Sequence, residues 1–195
     1  MVAIVVPFRA GGKTRLPEAL REEAALAMLG DVLEAAAPVG PTHVVTADPA
    51  AAYVAGELGV EAVADPGGGQ GAAVAAALAG LAGAVLVVNA DLPRARPSDL
   101  NALALPAQAG TLALVQARDG TTNALGLPSP SAFAPLYGPG SAAQFRAHAR
   151  ALGLVHHDVA LRNLEEDVDT LDDLERVGRR AGPRTRALVA ALHPR

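Results

Sequence analysis

The chain has 195 residues, 51 % of them hydrophobic and 18 % charged, which is enough apolar material for one packed domain and excludes a disordered chain. A formal net charge of -4 and an aromatic content of 3 % argue against a nucleic-acid partner, which would need a basic, ring-bearing surface. With no cysteine, disulfides, thiolate zinc sites and cysteine nucleophiles are excluded.

The chain opens on a β-branched run, expected as a strand over 2–6. A loop follows that reads Pro7-Phe8-Arg9-Ala10-Gly11-Gly12-Lys13-Thr14-Arg15-Leu16. Lys13 is the sole lysine; every other cationic side chain is arginine. An ammonium kept only in a glycine-bearing loop suits a point charge set against a phosphate. Gly12-Lys13-Thr14 is not a Walker loop, because the position that needs its first glycine is Pro7, which lacks an N–H and has a fixed φ. Phosphate binding here takes another geometry, with Gly11 and Gly12 admitting close approach and Lys13 and Arg15 supplying charge.

A helix is expected over 18–37, with Leu20, Ala24, Ala27, Met28, Val32 and Ala35 close to a 3.6-residue period. A strand over 43–46, a helix over 49–58 and a strand over 60–64 come next. Asp65-Pro66-Gly67-Gly68-Gly69-Gln70-Gly71-Ala72 then opens a helix over 71–82. Three successive glycines imply a tight backbone path, and the helix start offers free N–H groups to an anion. Two other readings stand beside this one. The turn is purely structural, or Gly67-x-Gly69-x-x-Ala72 with Asp91 about twenty residues on is a loose dinucleotide fingerprint.

The strand over 84–89 runs into Asn89-Ala90-Asp91-Leu92-Pro93. A carboxylate at the end of an apolar strand needs a partner, either a cation or a helix start. Pro97 already opens the helix over 97–103 as an N1 proline, which weakens the capping explanation. From the strand over 111–115 onward connections shorten and the order becomes mixed, with strands over 124–127 and 154–158. Turns at 119–125 and 137–141 offer hydroxyls and amides to a small anion, although the residues alone make both structural. Ser141 is also expected to N-cap the helix over 141–152. His156 and His157 face opposite ways on a strand and cannot share a metal. No Ser-His-Asp arrangement is evident.

Seven of the 20 acidic residues lie between Glu165 and Glu175. In an extended segment Asp167 and Asp169 point to one face and Val168 to the core. Two carboxylates on one face repel unless a cation lies between them, and Mg²⁺ takes such oxygen ligands. The plain alternative is an acidic helix entry with no metal. Thr170-x-x-Asp173 matches a capping box for the helix over 170–177. The helix over 184–192, with Arg180, Arg184 and Arg186 at or near its start, is expected to be solvated.

Four strands separated by helices predict right-handed βαβ crossovers and a largely parallel sheet, with ligands beyond the carboxyl ends of the strands. No apolar run reaches membrane-spanning length and no cationic leader opens the chain. The expectation is a cytoplasmic protein with no membrane partner.

In its order of motifs the chain resembles the guanylyltransferases of deazaflavin coenzyme F420 biosynthesis, which are similar to the molybdenum-cofactor guanylyltransferases. The resemblance rests on Ala90-Asp91-Leu92-Pro93, Asp119-Gly120-Thr121-Thr122-Asn123-Ala124-Leu125, Gly138-Pro139-Gly140-Ser141 and Asp167-Val168-Asp169-Thr170, and extends to about Val177. It implies an α/β, GT-A-like nucleotidyltransferase fold, a mostly parallel mixed sheet flanked by helices over 1–179, with 180–195 as a tail or terminal helix. It implies Mg²⁺ on Asp91, Asp167 and Asp169. Thr122, Gly138 and Ser141 are implied to hold the acceptor's carboxylate or phosphate. Lys13 and Arg15, with Gly11 and Gly12, are implied to hold nucleotide phosphates, and Gly67, Gly68 and Gly69 to lie near the base. Lys13, Arg15 and Asp91 form the implied catalytic set. The implied substrates are GTP and a small phosphorylated carboxylic acid. An alanine-, arginine-, glycine- and proline-rich bacterial style points to phosphoenolpyruvate, with 2-phospho-L-lactate and 3-phosphoglycerate as alternatives. A downstream enzyme of the same pathway is an expected partner, and the chain is expected to be a monomer or homodimer. Two positions depart from the family pattern: lysine is usual where Arg9 stands, and asparagine is frequent where Gly71 stands.

Overall fold

A computed structural model describes residues 1–9, 11 and 15–193. Alternation within β1 (Ala3–Pro7) decides the layering. Ile4 and Val6 face one layer and Val5 the other, all three without exposure. The chain then runs α1 (Glu18–Ala36), β2 (Thr42–Thr46), α2 (Pro49–Glu57), β3 (Glu61–Ala64), α3 (Gln70–Leu78), β4 (Val85–Val88) and α4 (Pro97–Gln108). It continues through β5 (Leu112–Gln116), β6 (Thr122–Leu127), a 3-10 turn (Pro130–Ala132), α5 (Ser141–Ala151), β7 (His156–Asp158), α6 (Leu171–Gly178) and α7 (Pro183–Leu192).

The sheet order is β3-β2-β1-β4-β6-β5-β7, with β6 antiparallel to both its neighbours and every other pairing parallel. This is the expected mostly parallel mixed sheet in a GT-A-like α/β fold. The chain leaves β1 toward β2 on one side and returns to β4 on the other. The order therefore reverses between β1 and β4, and a crevice opens there beyond the strand ends.

One face of the sheet packs on α1, α2 and α4 through residues such as Leu29, Leu33, Ala51, Leu100 and Leu103. The other packs on α3 and α5 through Val74, Leu78 and Phe145. Burying one such Val, Leu or Phe side chain contributes about 1.5–3 kcal/mol, so the paired faces are what hold the layers together. A third cluster forms outside α1, where Leu174, Val177, Leu188 and Val189 of α6 and α7 meet Leu16, Met28 and Val168.

Three local expectations are corrected. The helix over 97–103 extends to Gln108 through Pro106, because Leu103, Ala104 and Ala107 remain buried beyond the proline. Ser141 does not cap α5: Gly140 is the N-cap, and Ser141 is the first helical residue, buried completely. The terminal helix is packed, not solvated, with Thr185, Leu188 and Val189 all buried. Its first turn is held by Asp31 of α1, whose carboxylate accepts from the amides of Arg184 (2.9 Å) and Thr185 (3.0 Å). A side chain on Gly182 would lie 2.4 Å from the Asp31 carboxyl carbon, which is why glycine precedes this helix. The Thr170–Asp173 capping box at α6 is present as expected. No helix among the described residues is long and apolar enough to cross a membrane.

Candidate active site

β4 is buried along its whole length and delivers Asn89, Ala90 and Asp91 to the crevice. Asp91 meets Asp167 and Asp169 there. All three are half-buried, and one carboxylate oxygen from each lies within 4.8 Å of the others. The backbone accounts for the meeting. The Val168 amide donates to the Asp91 carbonyl at 3.2 Å, and the Val168 side chain is buried with Leu16, Met28 and Leu174. With Val168 held inward, period-two alternation turns Asp167 and Asp169 outward together. The Gly182 amide donates to the Pro93 carbonyl at 2.7 Å and steadies the far end of the Asp91 loop.

Three carboxylates this close repel one another unless a cation shares them. The donor set is all hard oxygen, without imidazole or thiolate, and so fits Mg²⁺ rather than a softer transition metal. Arg15 reaches toward the cluster, with its guanidinium 3.8 Å from the Asp169 carboxylate. Gly11 lies in the same β1–α1 connection at a φ of 80°. Lys13 and Gly12 lie outside the described residues.

A cleft of about 280 Å³ runs from Asp91 along the ends of β1 and β4. It is lined by Phe8, Arg9, Asp65, Gln70 and Asn89. Gly67, Gly68 and Gly69 all have positive φ, at 81°, 84° and 97°, a path that side chains would oppose at each step. The Gly67 amide donates to the Asp65 carboxylate at 2.8 Å, and Arg9 lies 3.5 Å from the same carboxylate. The tight path expected of the triple glycine is therefore present. β3, which feeds it, is the sheet's edge strand rather than a strand at the order reversal, so the dinucleotide alternative loses its usual setting. At Gly71, the place where asparagine is frequent in the resembling family, Pro135 occupies the space a side chain would need.

On the other side of Asp91, Thr122 opens β6 rather than sitting in a turn. It is buried, and its hydroxyl accepts from Ser141 at 3.2 Å. Ser141 thus joins Thr122, and its amide donates to the Gly138 carbonyl at 3.0 Å. The Ala142 amide donates to Gly120 at 3.3 Å, joining the turn before β6 to the start of α5. The carboxylate of Asp119 accepts from both the amide and the hydroxyl of Thr121 (2.9 and 2.6 Å), which holds its pKa below the usual carboxylate range. Asn123 closes the far side by donating to the Leu164 carbonyl at 2.9 Å.

Glu166, next to Asp167, gathers three arginines that sequence reasoning left unassigned. It accepts from Arg94 (3.0 Å), Arg176 (2.8 Å) and Arg118. Burial alone would push this carboxyl up. The Arg176 hydrogen bond and the charges of Arg118, Arg176 and Arg94 outweigh burial and hold it below its ordinary value. Arg94 also donates to Asn163 (3.1 Å), which donates to Asp99 in the first turn of α4 (3.0 Å). Apart from Arg176 and Glu166, each pair is far apart in sequence, so only the density of acids around 165–175 hinted at this network.

A family model described as "MobA-like NTP transferase domain" matches residues 9–166. A phosphoenolpyruvate guanylyltransferase from Streptomyces scabiei is 38 % identical over 213 aligned residues, covering 97 % of this chain and 96 % of its own. One from Roseiflexus castenholzii is 38 % identical over 170 residues, covering 83 % and 80 %. Among solved structures, a nucleotidyl transferase from Methanothermobacter superposes with a TM-score of 0.68 at 18 % identity, over 96 % of this chain and 98 % of its own. At that identity the likeness speaks for the fold.

Proposed function

Because the chain belongs to the MobA-like NTP transferase family, we propose that it transfers GMP from GTP to phosphoenolpyruvate with Mg²⁺, releasing pyrophosphate, as a step in coenzyme F420 biosynthesis. The observation that carries this reading is the convergence of Asp91, Asp167 and Asp169 beside the β1–α1 connection. The acceptor comes from the relatives named phosphoenolpyruvate guanylyltransferase, which align over most of the chain.

In this reading an acceptor phosphate oxygen attacks the α-phosphorus of GTP. The new bond joins the two phosphates, the bond between the α-phosphorus and its bridging oxygen breaks, and pyrophosphate leaves. The attacking phosphate is already ionised near neutral pH, so no general base is required. The three carboxylates would hold Mg²⁺, which when bound would offset the charge of the polyphosphate. Arg15, near Asp169, is assigned to the same polyphosphate, and so by sequence is Lys13; one well-placed cation can contribute roughly 10³-fold or more. Thr122, Ser141 and the Gly138 turn are assigned to orient the acceptor, with the Ser141 hydroxyl donating to that of Thr122. Alignment and charge neutralisation thus supply the catalysis.

The test is pyrophosphate release with phosphoenolpyruvate, 2-phospho-L-lactate and 3-phosphoglycerate, each paired with each nucleoside triphosphate, with and without Mg²⁺. Release with phosphoenolpyruvate and GTP, lost without Mg²⁺, is expected. Release with another acid alone moves the acceptor assignment, and release with no pair overturns the transferase reading.

A further inference from the structure

Gln70 and Gly71, the first residues of α3, follow directly on the glycine turn, yet both contact the acceptor side of the site. The Gln70 amide nitrogen donates to the Asn89 side-chain oxygen at 2.7 Å. Asn89 in turn donates to the Thr122 carbonyl at 3.2 Å, and the Asn89 backbone amide donates to Asn123 at 3.0 Å. Gly71 packs on Pro135: a Cβ at residue 71 would lie 2.5 Å from the Pro135 Cβ and 3.0 Å from its Cα. Pro135 belongs to the connection between the 3-10 turn and α5, which ends in Gly138 and Gly140 ahead of Ser141.

These contacts have an uneven mechanical consequence. α3 is anchored in the core by Ala73, Val74, Ala77 and Leu78, whereas residues 134–140 form an irregular connection, with only residues 136 and 137 packed against a core cluster as partly buried hydrophobics. Carbon atoms in contact rest about 3.5–4.0 Å apart, so a side chain at residue 71 would displace the connection rather than the helix. Gly71 is helical and not among the positive-φ glycines, and alanine is otherwise the better helix former, so only the Pro135 contact opposes a side chain there.

We propose that Gly71 and Asn89 are positioning residues that set the separation between the nucleotide loop and the acceptor turn. Gly71 does so through Pro135, and Asn89 by bridging Gln70 to Thr122. The inference rests on the transferase reading above and adds to it a determinant of acceptor engagement. A phosphate oxygen must come to about 3–3.5 Å from the α-phosphorus, and a displacement of one ångström can cost about 10²-fold. The first turn of α3 therefore governs the acceptor's reach while leaving the nucleotide's own seat in place.

The experiment compares Gly71→Ala, Pro135→Gly, the double variant and Asn89→Ala with wild type. Acceptor KM and kcat come from pyrophosphate release, and nucleotide Kd from equilibrium titration with a fluorescent GTP analogue. Gly71→Ala is expected to raise acceptor KM about tenfold or more while nucleotide Kd stays within about twofold. The double variant should recover most of that loss, because the 2.5 Å neighbour is gone. Asn89→Ala should raise acceptor KM through the other tie, and it carries the test by itself if Gly71→Ala does not fold. An equal loss of nucleotide affinity in Gly71→Ala, no recovery in the double variant, or an unchanged acceptor KM in both Gly71→Ala and Asn89→Ala overturns the inference. Active wild type with unaltered variants sinks only this inference; inactive wild type sinks the transferase reading, and this with it.

Discussion

The amide of Val168 donates to the carbonyl of Asp91 at 3.2 Å, and this one bond splices the acidic segment onto the end of β4. Two stretches of chain more than seventy positions apart thereby present their carboxylates to one point.

Asp91→Asn and Asp169→Asn are expected to lower pyrophosphate release by at least about 10²-fold at saturating Mg²⁺, the scale of losing one preorganised electrostatic group. The circular dichroism spectrum should stay that of wild type, since neither side chain belongs to the core. Near-normal turnover in both variants would remove the metal assignment.

Val168→Ala removes two buried methyl groups from the cluster outside α1 and should cost about 2 kcal/mol in urea unfolding. The same variant should need more Mg²⁺ for half-maximal turnover, because Asp167 and Asp169 lose the anchor that turns them outward. Loss of stability with an unchanged Mg²⁺ requirement would show that the backbone bond suffices.

Glu166 titrates below its ordinary range in the folded protein, where Arg176, Arg118 and Arg94 overcome the effect of burial. Its ionised form therefore adds stability above the usual glutamate pKa, about 4.3, and that contribution disappears as pH falls through the lowered folded value. Glu166→Gln should be less stable than wild type near neutral pH, and the gap should close on acidification. Denaturant melts across a pH series read the effect directly, and a gap that widens in acid would contradict it.

Asp31→Ala leaves the Arg184 and Thr185 amides without their acceptor and should cost about 1–3 kcal/mol. Burial raises the Asp31 pKa, the hydrogen bonds from Thr185 and Arg184 pull it back, and the Glu34 charge adds to the rise. Wild type accordingly loses part of this side chain's contribution as pH rises from the ordinary aspartate value through the raised one. Hydrogen exchange along α7 should accelerate in the variant ahead of the central strands; uniform exchange would mean that Asp31 supports no particular helix.

Much of the site is legible along the chain because its parts are local. Asp167, Val168 and Asp169 obey a period-two rule, Asp91 is a charge ending an apolar run, and Gly67–Gly69 announce a backbone path by composition. What escapes is whatever depends on distant neighbours. Arg94, Arg118 and Arg176 have no assignment along the chain until Glu166 gathers them. The helix over 97–103 reads short because the buried residues on either side of Pro106 act only through tertiary packing. α7 looks solvated because its arginines are conspicuous, while Asp31, its capping group, lies about 150 residues earlier. Gly71 stands out only as a departure from the family pattern until Pro135 is placed against it.

β6 runs against the strands on either side of it, so it presents its first residue, Thr122, at the rim where β1 and β4 present their last. The hairpin entering β6 therefore lies at the same rim as the β1–α1 and β3–α3 loops and shares no connection with them. If Thr122 faces the acceptor as proposed, lengthening that single bend would recontour the surroundings of one substrate without touching the loops assigned to its co-substrate.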